Sequence, residues 1–155
     1  MIADLPIRLA TVGDAMQIAR MSRDYIEYGL PWGWTQGRVA DAIRDPDTNV
    51  AVVHEQGAVV GFGIMHYTDE DAHLLLFAVR HDRRRSGIGS ALLLWLEQAA
   101  AVAGAVKIHV EARWRNVGAR SFYNEHGYHE RELRKGMYSG VVDGVVLEKW
   151  LRHDP

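Results

Sequence analysis

One segment constrains the fold more than any other: HLLLFAVRHDRRRSGIGSALLLWLE, residues 73–97. It opens with an apolar run of strand length. From Ile88 to about Val102 it shows a helical period, with Ile88, Ala91, Leu92, Trp95 and Ala99 on one stripe. Between the two, Arg83, Arg84 and Arg85 run into Ser86 and Gly87, and Gly89 follows just inside the helix. A chain that leaves a strand through such a turn and enters an amphipathic helix lays that helix back on a sheet, which makes it an α/β protein. The turn has a chemical use as well. Glycines let backbone N–H groups approach an anion closely, and the first helical turn supplies unpaired donors at the positive end of a dipole.

The rest of the chain fits around that unit. PIRLA is a first strand, and TVGD offers a capping box from Thr11 to Asp14. Ala15, Ile18, Ser22 and Tyr25 then follow one helical face until Gly29 and Pro31. A second helix is expected over 36–44, stopped by DPDTN. VAVVH and AVVGFGIMHY form a hairpin around EQG, and the acidic turn TDED leads into HLLLFAV. In AVKIHVEA, Val106, Ile108 and Val110 face one way and Lys107, His109 and Glu111 the other. NVGARSFYNEH reads as a helix capped by Asn116 and closed by Gly127. YHEREL and VVLEKWL are closing strands around SGVVDG. The order βααβββαβαββ predicts one domain over 1–155, a sheet of mixed direction with helices on both faces.

Bulk properties exclude several classes. With a formal net charge of −2, the whole molecule does not attract nucleic acid, so any anion affinity is local. The absence of cysteine removes disulfides, thiolate zinc sites and a cysteine nucleophile. Asp4 and Pro6 interrupt the start where a signal peptide needs an apolar core, and ALLLWL is far too short to span a bilayer. The expectation is a cytoplasmic protein with no membrane partner. His126 and His129 are three apart with Gly127 between them, and no HExxH pattern occurs, so no metal is expected.

Three kinds of phosphate loop compete for residues 84–89. A nucleoside-triphosphate loop needs Gly-Lys-Ser/Thr at its end, and none is present. A dinucleotide fingerprint places a third glycine where Leu92 stands. The pyrophosphate loop of coenzyme A enzymes, Arg/Gln-x-x-Gly-x-Gly/Ala, is matched throughout by RRSGIG. A solvated basic turn with glycines chosen for packing is the plainer alternative.

FAVRHDRRRSGIGSALL and, thirty residues on, NVGARSFYNEHGY resemble the two central motifs of the GNAT superfamily of acetyl-CoA-dependent N-acetyltransferases. The second motif falls on Asn116, Ala119, Tyr123, Gly127 and Tyr128. With Glu111 five residues before Asn116, the pattern is most similar to the ribosomal-protein alanine acetyltransferases. The resemblance implies a mostly antiparallel sheet of about seven strands whose central strands splay apart, with the pantetheine arm of acetyl-CoA in the gap. Phe77, Ala78 and Val79 would then hold the arm. Arg84, Arg85, Ser86, Gly87, Ile88, Gly89 and Ser90 would hold the pyrophosphate, and Asn116 the pantetheine end. The amide of Val79 would receive the oxyanion, Tyr123 would protonate the thiolate and contact the cofactor, and Glu111 would be the base.

Each role has a structural rival: Tyr123 as a core residue, Glu111 as an ion pair with Arg113 or Lys107, and His109 as base in its place. Tyr25, Tyr28, Trp32 and Trp34, with Asp24 and Glu27 among them, suit a cationic amine acceptor, either a small molecule or a peptide N-terminus. A homodimer is common in the family. Two other functions remain open at this point: a non-catalytic acyl-CoA sensor, and a nucleic-acid-binding module using Arg83–Arg85.

Overall fold

A computed structural model describes residues 6–152; Asp4 lies outside them. The elements are β1 (Ile7–Leu9), α1 (Ala15–Met21), α2 (Gln36–Arg44), β2 (Thr48–Glu55), β3 (Ala58–Thr68), β4 (Asp71–Val79), α3 (Ile88–Val102), β5 (Lys107–Arg113), α4 (Val117–Glu125), β6 (His129–Tyr138) and β7 (Val142–Trp150). They form one seven-stranded sheet in the order β1-β2-β3-β4-β5-β7-β6. Only β4 and β5 run parallel. The sequence order and the mixed sheet are as expected.

Each face of the sheet carries its own core. On one, α3 and α4 bury Ile88, Leu92, Leu96 and Tyr123 against Leu74, Ile108, Val110 and Leu147. On the other, α1 and α2 bury Ile18, Ala19 and Val39 against Val52, Phe62, Ile64 and Leu76. The alternation read in 106–111 holds, since Ile108 and Val110 are buried while Lys107, His109 and Glu111 are only half-buried.

Three details depart from the sequence reading. The buried stripe of α3 is Ile88, Leu92, Leu93, Leu96 and Ala100, with Ala91, Trp95 and Ala99 half-buried beside it. The helix is rotated toward the sheet because β3 has no side chain at Gly63, where a Cβ would lie 2.5 Å from Leu96 Cδ1. After the capping box, α1 gives way to a π-helical turn over Ser22–Ile26. This widening leaves Tyr25 half-buried, packed at the margin of the core beneath α1 and α2. Finally, β6 runs on through Tyr138, so the last turn is tighter than SGVVDG.

Candidate active site

The site is built around a failure of strand pairing. β4 and β5 pair from Asp71↔Lys107 only as far as Leu74↔Val110. Beyond that point β4 stays with β3 up to Val79, and β5 stays with β7 up to Arg113. Residues 75–79 and 111–113 therefore diverge with no ladder between them.

A bulge accompanies the divergence. Ile64 pairs with Leu76 and Met65 with Leu74, which leaves Leu75 as the extra residue. It also reverses side-chain parity: Ala72 and Leu74 point toward α3 and α4, whereas Leu76 and Ala78 point toward α1 and α2.

The phase of the ladder decides which main-chain groups enter the gap. The amide of Arg80 donates to the carbonyl of Val60 at 2.8 Å. In an antiparallel pair every second residue bonds the same neighbour, so Ala78 and Leu76 also bond β3, and Phe77 and Val79 turn their N–H and C=O groups into the gap. Contrary to the expectation for Ala78, its main chain is committed to β3 and its side chain to the core.

The gap leads to the N-terminus of α3. Arg85 (φ 62°) and Gly87 (φ 86°) both adopt left-handed backbone there, which a glycine accepts without strain. The amide of Ala91 donates to the carbonyl of Gly87 at 3.0 Å, so the amides of Ile88, Gly89 and Ser90 are the donors that the helix leaves unpaired.

The three arginines part company. Arg83 is ion-paired with Glu55, and its Nε is buried without a partner. Arg84 Nε donates to the Val79 carbonyl at 3.2 Å, while Arg85 is exposed. Ser86 Oγ donates to the carbonyl of Arg83. Gly89 has a packing reason beyond bare amides, because its missing Cβ would lie 3.3 Å from the ring of Phe122. His126 bridges Ser90 Oγ at 2.9 Å and the Phe122 carbonyl at 2.7 Å, which ties α4 to α3, whereas His129 lies exposed on β6.

Asn116 caps α4, its Oδ1 accepting from the amide of Ala119 at 3.1 Å. The helix carries Tyr123, whose ring centroid lies 6.4 Å from that of Phe77. Burial pushes the Tyr123 phenol well up, and the neighbouring Tyr138 and Glu111 push it further. Its oxygen is nonetheless not sealed in, since Arg83 Nε is the only buried, partnerless side-chain polar atom among the described residues. The phenol therefore keeps its proton at neutral pH, so a donor is present beside Phe77, although burial also makes it a weaker acid than a free phenol.

Glu111 takes neither of the partners considered for it. Lys107 pairs with Glu148 at 3.3 Å, and Arg113 donates to the carbonyls of Ile26 and Tyr28, each at 2.7 Å. The carboxylate of Glu111 instead meets His73 Nε2 at 2.6 Å. Burial raises its pKa, but the His73 hydrogen bond and the two neighbouring imidazoles outweigh this and hold it below the usual range. His109 stacks on His73 at 4.1 Å, with 21° between the rings. Burial and His73 lower the pKa of His109. Each of the three offers a donor atom within 4.8 Å of the others. Rings stacked this nearly parallel do not aim their in-plane lone pairs at one shared point.

The four aromatic residues expected at the acceptor side already carry partners. Tyr25 stacks on His81 at 4.4 Å. Arg113 covers Tyr28 at 4.1 Å, Arg23 covers Trp32 at 5.4 Å and Arg38 covers Trp34 at 3.9 Å. The Glu27 carboxylate accepts from Ser22 Oγ and from the amides of Gly33 and Trp34, and Asp24 pairs with Arg23. These groups form a braced loop lined by guanidinium.

Comparison with known proteins agrees with this geometry. Residues 46–130, more than half of the chain, match the family model of the acetyltransferase (GNAT) domain. The chain belongs to the GNAT acetyltransferase family.

An uncharacterised N-acetyltransferase of Methanocaldococcus jannaschii is 34% identical over 99 residues, which cover 63% of this GNAT chain and 64% of the relative. The ribosomal protein bS18-alanine N-acetyltransferase of Escherichia coli is 28% identical over 96 residues, covering 60% and 65%. These matches span just under two thirds of the relatives' length. The crystal structure of Ard1 from Thermoplasma volcanium superposes with a TM-score of 0.83 at 26% identity, covering 96% of this chain and 98% of that one.

Two residues beside Glu111 were not singled out from the sequence. His73 stands in a strand for which the family resemblance implies a bulge but not its position, and that position, at Leu75, sets the facing of the strand. Tyr138, raised to about 12 by burial and by Glu111, ends a strand that was read as stopping sooner.

Proposed function

We propose that this protein is an acetyl-CoA-dependent N-acetyltransferase, one domain over 1–155, acting without a membrane or nucleic-acid partner in the cytoplasm. Among the described residues no helix is long and apolar enough to cross a membrane. The observation that carries the reading is the continuous main-chain path from the unpaired edge at Phe77 and Val79 to the free amides of 88–90. An extended amide-bearing chain ending in a diphosphate fits such a path: it adds to a strand edge and finishes on a helix N-terminus.

In this reading the Val79 amide stabilises the oxyanion of the tetrahedral adduct, and Tyr123 gives its proton to the departing thiolate. Arg84 and Arg85 face the pyrophosphate, and Asn116 keeps the start of α4 beside the pantetheine. No covalent enzyme intermediate is needed, because the amine attacks the thioester directly.

The acceptor is a peptide N-terminus in preference to a polyamine. Arg38 and Arg113 at the acceptor side sit over aromatic rings and carbonyl groups, where they repel a polycation and favour a chain with carbonyl oxygens. The relative from Escherichia coli is named for transfer to an alanine. Calorimetry with coenzyme A, followed by thiol release from acetyl-CoA over a panel of amines, tests both parts. Saturable binding and faster turnover of an alanine-starting tripeptide than of spermidine are expected. Absence of binding at millimolar coenzyme overturns the function, and preference for spermidine overturns the acceptor.

A further inference from the structure

We propose that His73, not Glu111, takes the proton from the incoming ammonium, and that Glu111 is the residue that positions it. The proposal rests on the acetyltransferase reading above and assigns a role at its centre to an unassigned side chain.

The argument begins with hydrogen-bond bookkeeping. An ionised carboxylate only accepts, so the 2.6 Å contact with Glu111 requires a proton on His73 Nε2. The neutral imidazole is thereby fixed in one tautomer, with its lone pair on Nδ1. That atom has no hydrogen-bond partner among the described residues, and the side chain is 28% exposed. The stacked ring of His109 limits its rotation. The arrangement is a carboxylate that orients an imidazole and steadies it once it becomes a cation.

Matching of basicity points the same way. An α-ammonium ionises near pH 8, and the best general base lies close to the working pH. A carboxylate held below its usual range is a poor acceptor of that proton, whereas imidazoles as a class accept protons near neutrality. The remaining groups around the dyad are accounted for. His66 on β3 lies opposite His73 and is engaged by Thr48 and Asp45. On β5, Lys107 is neutralised by Glu148 of β7, and burial and His73 lower the pKa of His109. Asp71 of β4 acts on His109, Arg134 of β6 acts on Glu111, and Glu111 in turn raises Tyr138 of β6.

The proton account closes. One ammonium proton passes to His73 Nδ1 and on to solvent. The freed amine forms its bond to the acetyl carbon and the carbon–sulfur bond breaks. The thiolate takes the Tyr123 proton, and the second nitrogen proton, lost as the adduct collapses, restores the phenol.

Two measurements test the idea on the intact chain. In nitrogen-resolved NMR of the free protein, His73 is expected as the Nε2–H tautomer, and Glu111→Gln is expected to weaken that tautomer preference, because an amide can donate as well as accept. A His73 found as the Nδ1–H tautomer, or unmoved by E111Q, overturns the proposal without any acceptor being needed.

With acetyl-CoA and an alanine-starting tripeptide, His73→Gln is expected to abolish the acidic limb of kcat/KM and to cost about 100-fold. E111Q is expected to keep that limb. An intact limb in H73Q, or a limb lost in E111Q alone, makes Glu111 the base and overturns the assignment. Coenzyme binding separates the two levels: if both variants bind coenzyme A as the parent does, a failed pH test rejects the dyad alone. If the parent does not bind it, the functional reading itself has failed.

Discussion

Tyr123→Phe deletes one oxygen beside the gap and leaves the ring contacts with Phe77, Phe122 and Tyr128 in place. The expected result is a drop in kcat of about 100-fold with coenzyme affinity within about twofold, because in the proposed mechanism the proton is needed only as the carbon–sulfur bond breaks. Steady-state kinetics beside calorimetry measure both. Equal turnover would return the residue to the core.

At the same scale, Arg84 is tied to the Val79 carbonyl, a group that the pantetheine arm would use. Arg84→Ala is expected to weaken coenzyme A binding by about tenfold, most clearly at low salt, as befits a charged contact. Tyr123 and Arg84 were singled out in the sequence by the motifs that resemble the family's. Their partners were not. Neither His73 beside Glu111 nor Glu55 beneath Arg83 is near in sequence, and each pairing needs strands that meet only in the folded sheet.

Among the elements, α3 shows what local pattern can and cannot supply. Its existence, start and length follow from Gly87 and the apolar period, yet its buried face is turned because the bare surface at Gly63 lies on another strand. Gly63→Val is expected to lower unfolding free energy by about 2 kcal/mol, since Leu96 has to yield in a packed core. A urea titration reads this directly.

A second tie reaches across the same helix. Glu97 accepts from Tyr128 Oη at 2.8 Å and from Lys149 Nζ at 3.1 Å, which joins α3, the start of β6 and β7. Glu97→Leu leaves a buried phenol and an ammonium without their acceptor. The expected loss is about 2 kcal/mol, moderated because Lys149 is 28% exposed and can turn to water. The aromatic loop over 25–34 was the least legible element. Its tryptophans look free in the sequence, and only the fold brings Arg38 and Arg113 over the rings.

For the molecule as a whole, acid is the expected weakness. Burial raises the Asp14 carboxyl, but hydrogen bonds from Arg8 and the Thr11 amide more than offset it, and the folded value ends below the ordinary one. Glu111 behaves alike. A carboxyl depressed by folding contributes stability above its unfolded pKa, near 4, and that contribution is lost as pH falls through the folded value. Urea midpoints are therefore expected to hold from pH 7 to about 5 and to decline below about 4. Asp14→Asn should start lower and decline less.

The four-residue seam between β4 and β5 has a last consequence. Two half-sheets meet along a short parallel stitch, and the ligand proposed for the gap would complete the weave. Such a substrate doubles as scaffolding: at 100 times its dissociation constant, coenzyme A should add about 2.7 kcal/mol to the unfolding free energy. Amides lining the cleft, at 77 and 79, should exchange with heavy water more slowly once it is filled. A cell short of acetyl-CoA would then hold not merely an idle enzyme but a looser one, whose turnover by proteases reports the supply of its own donor.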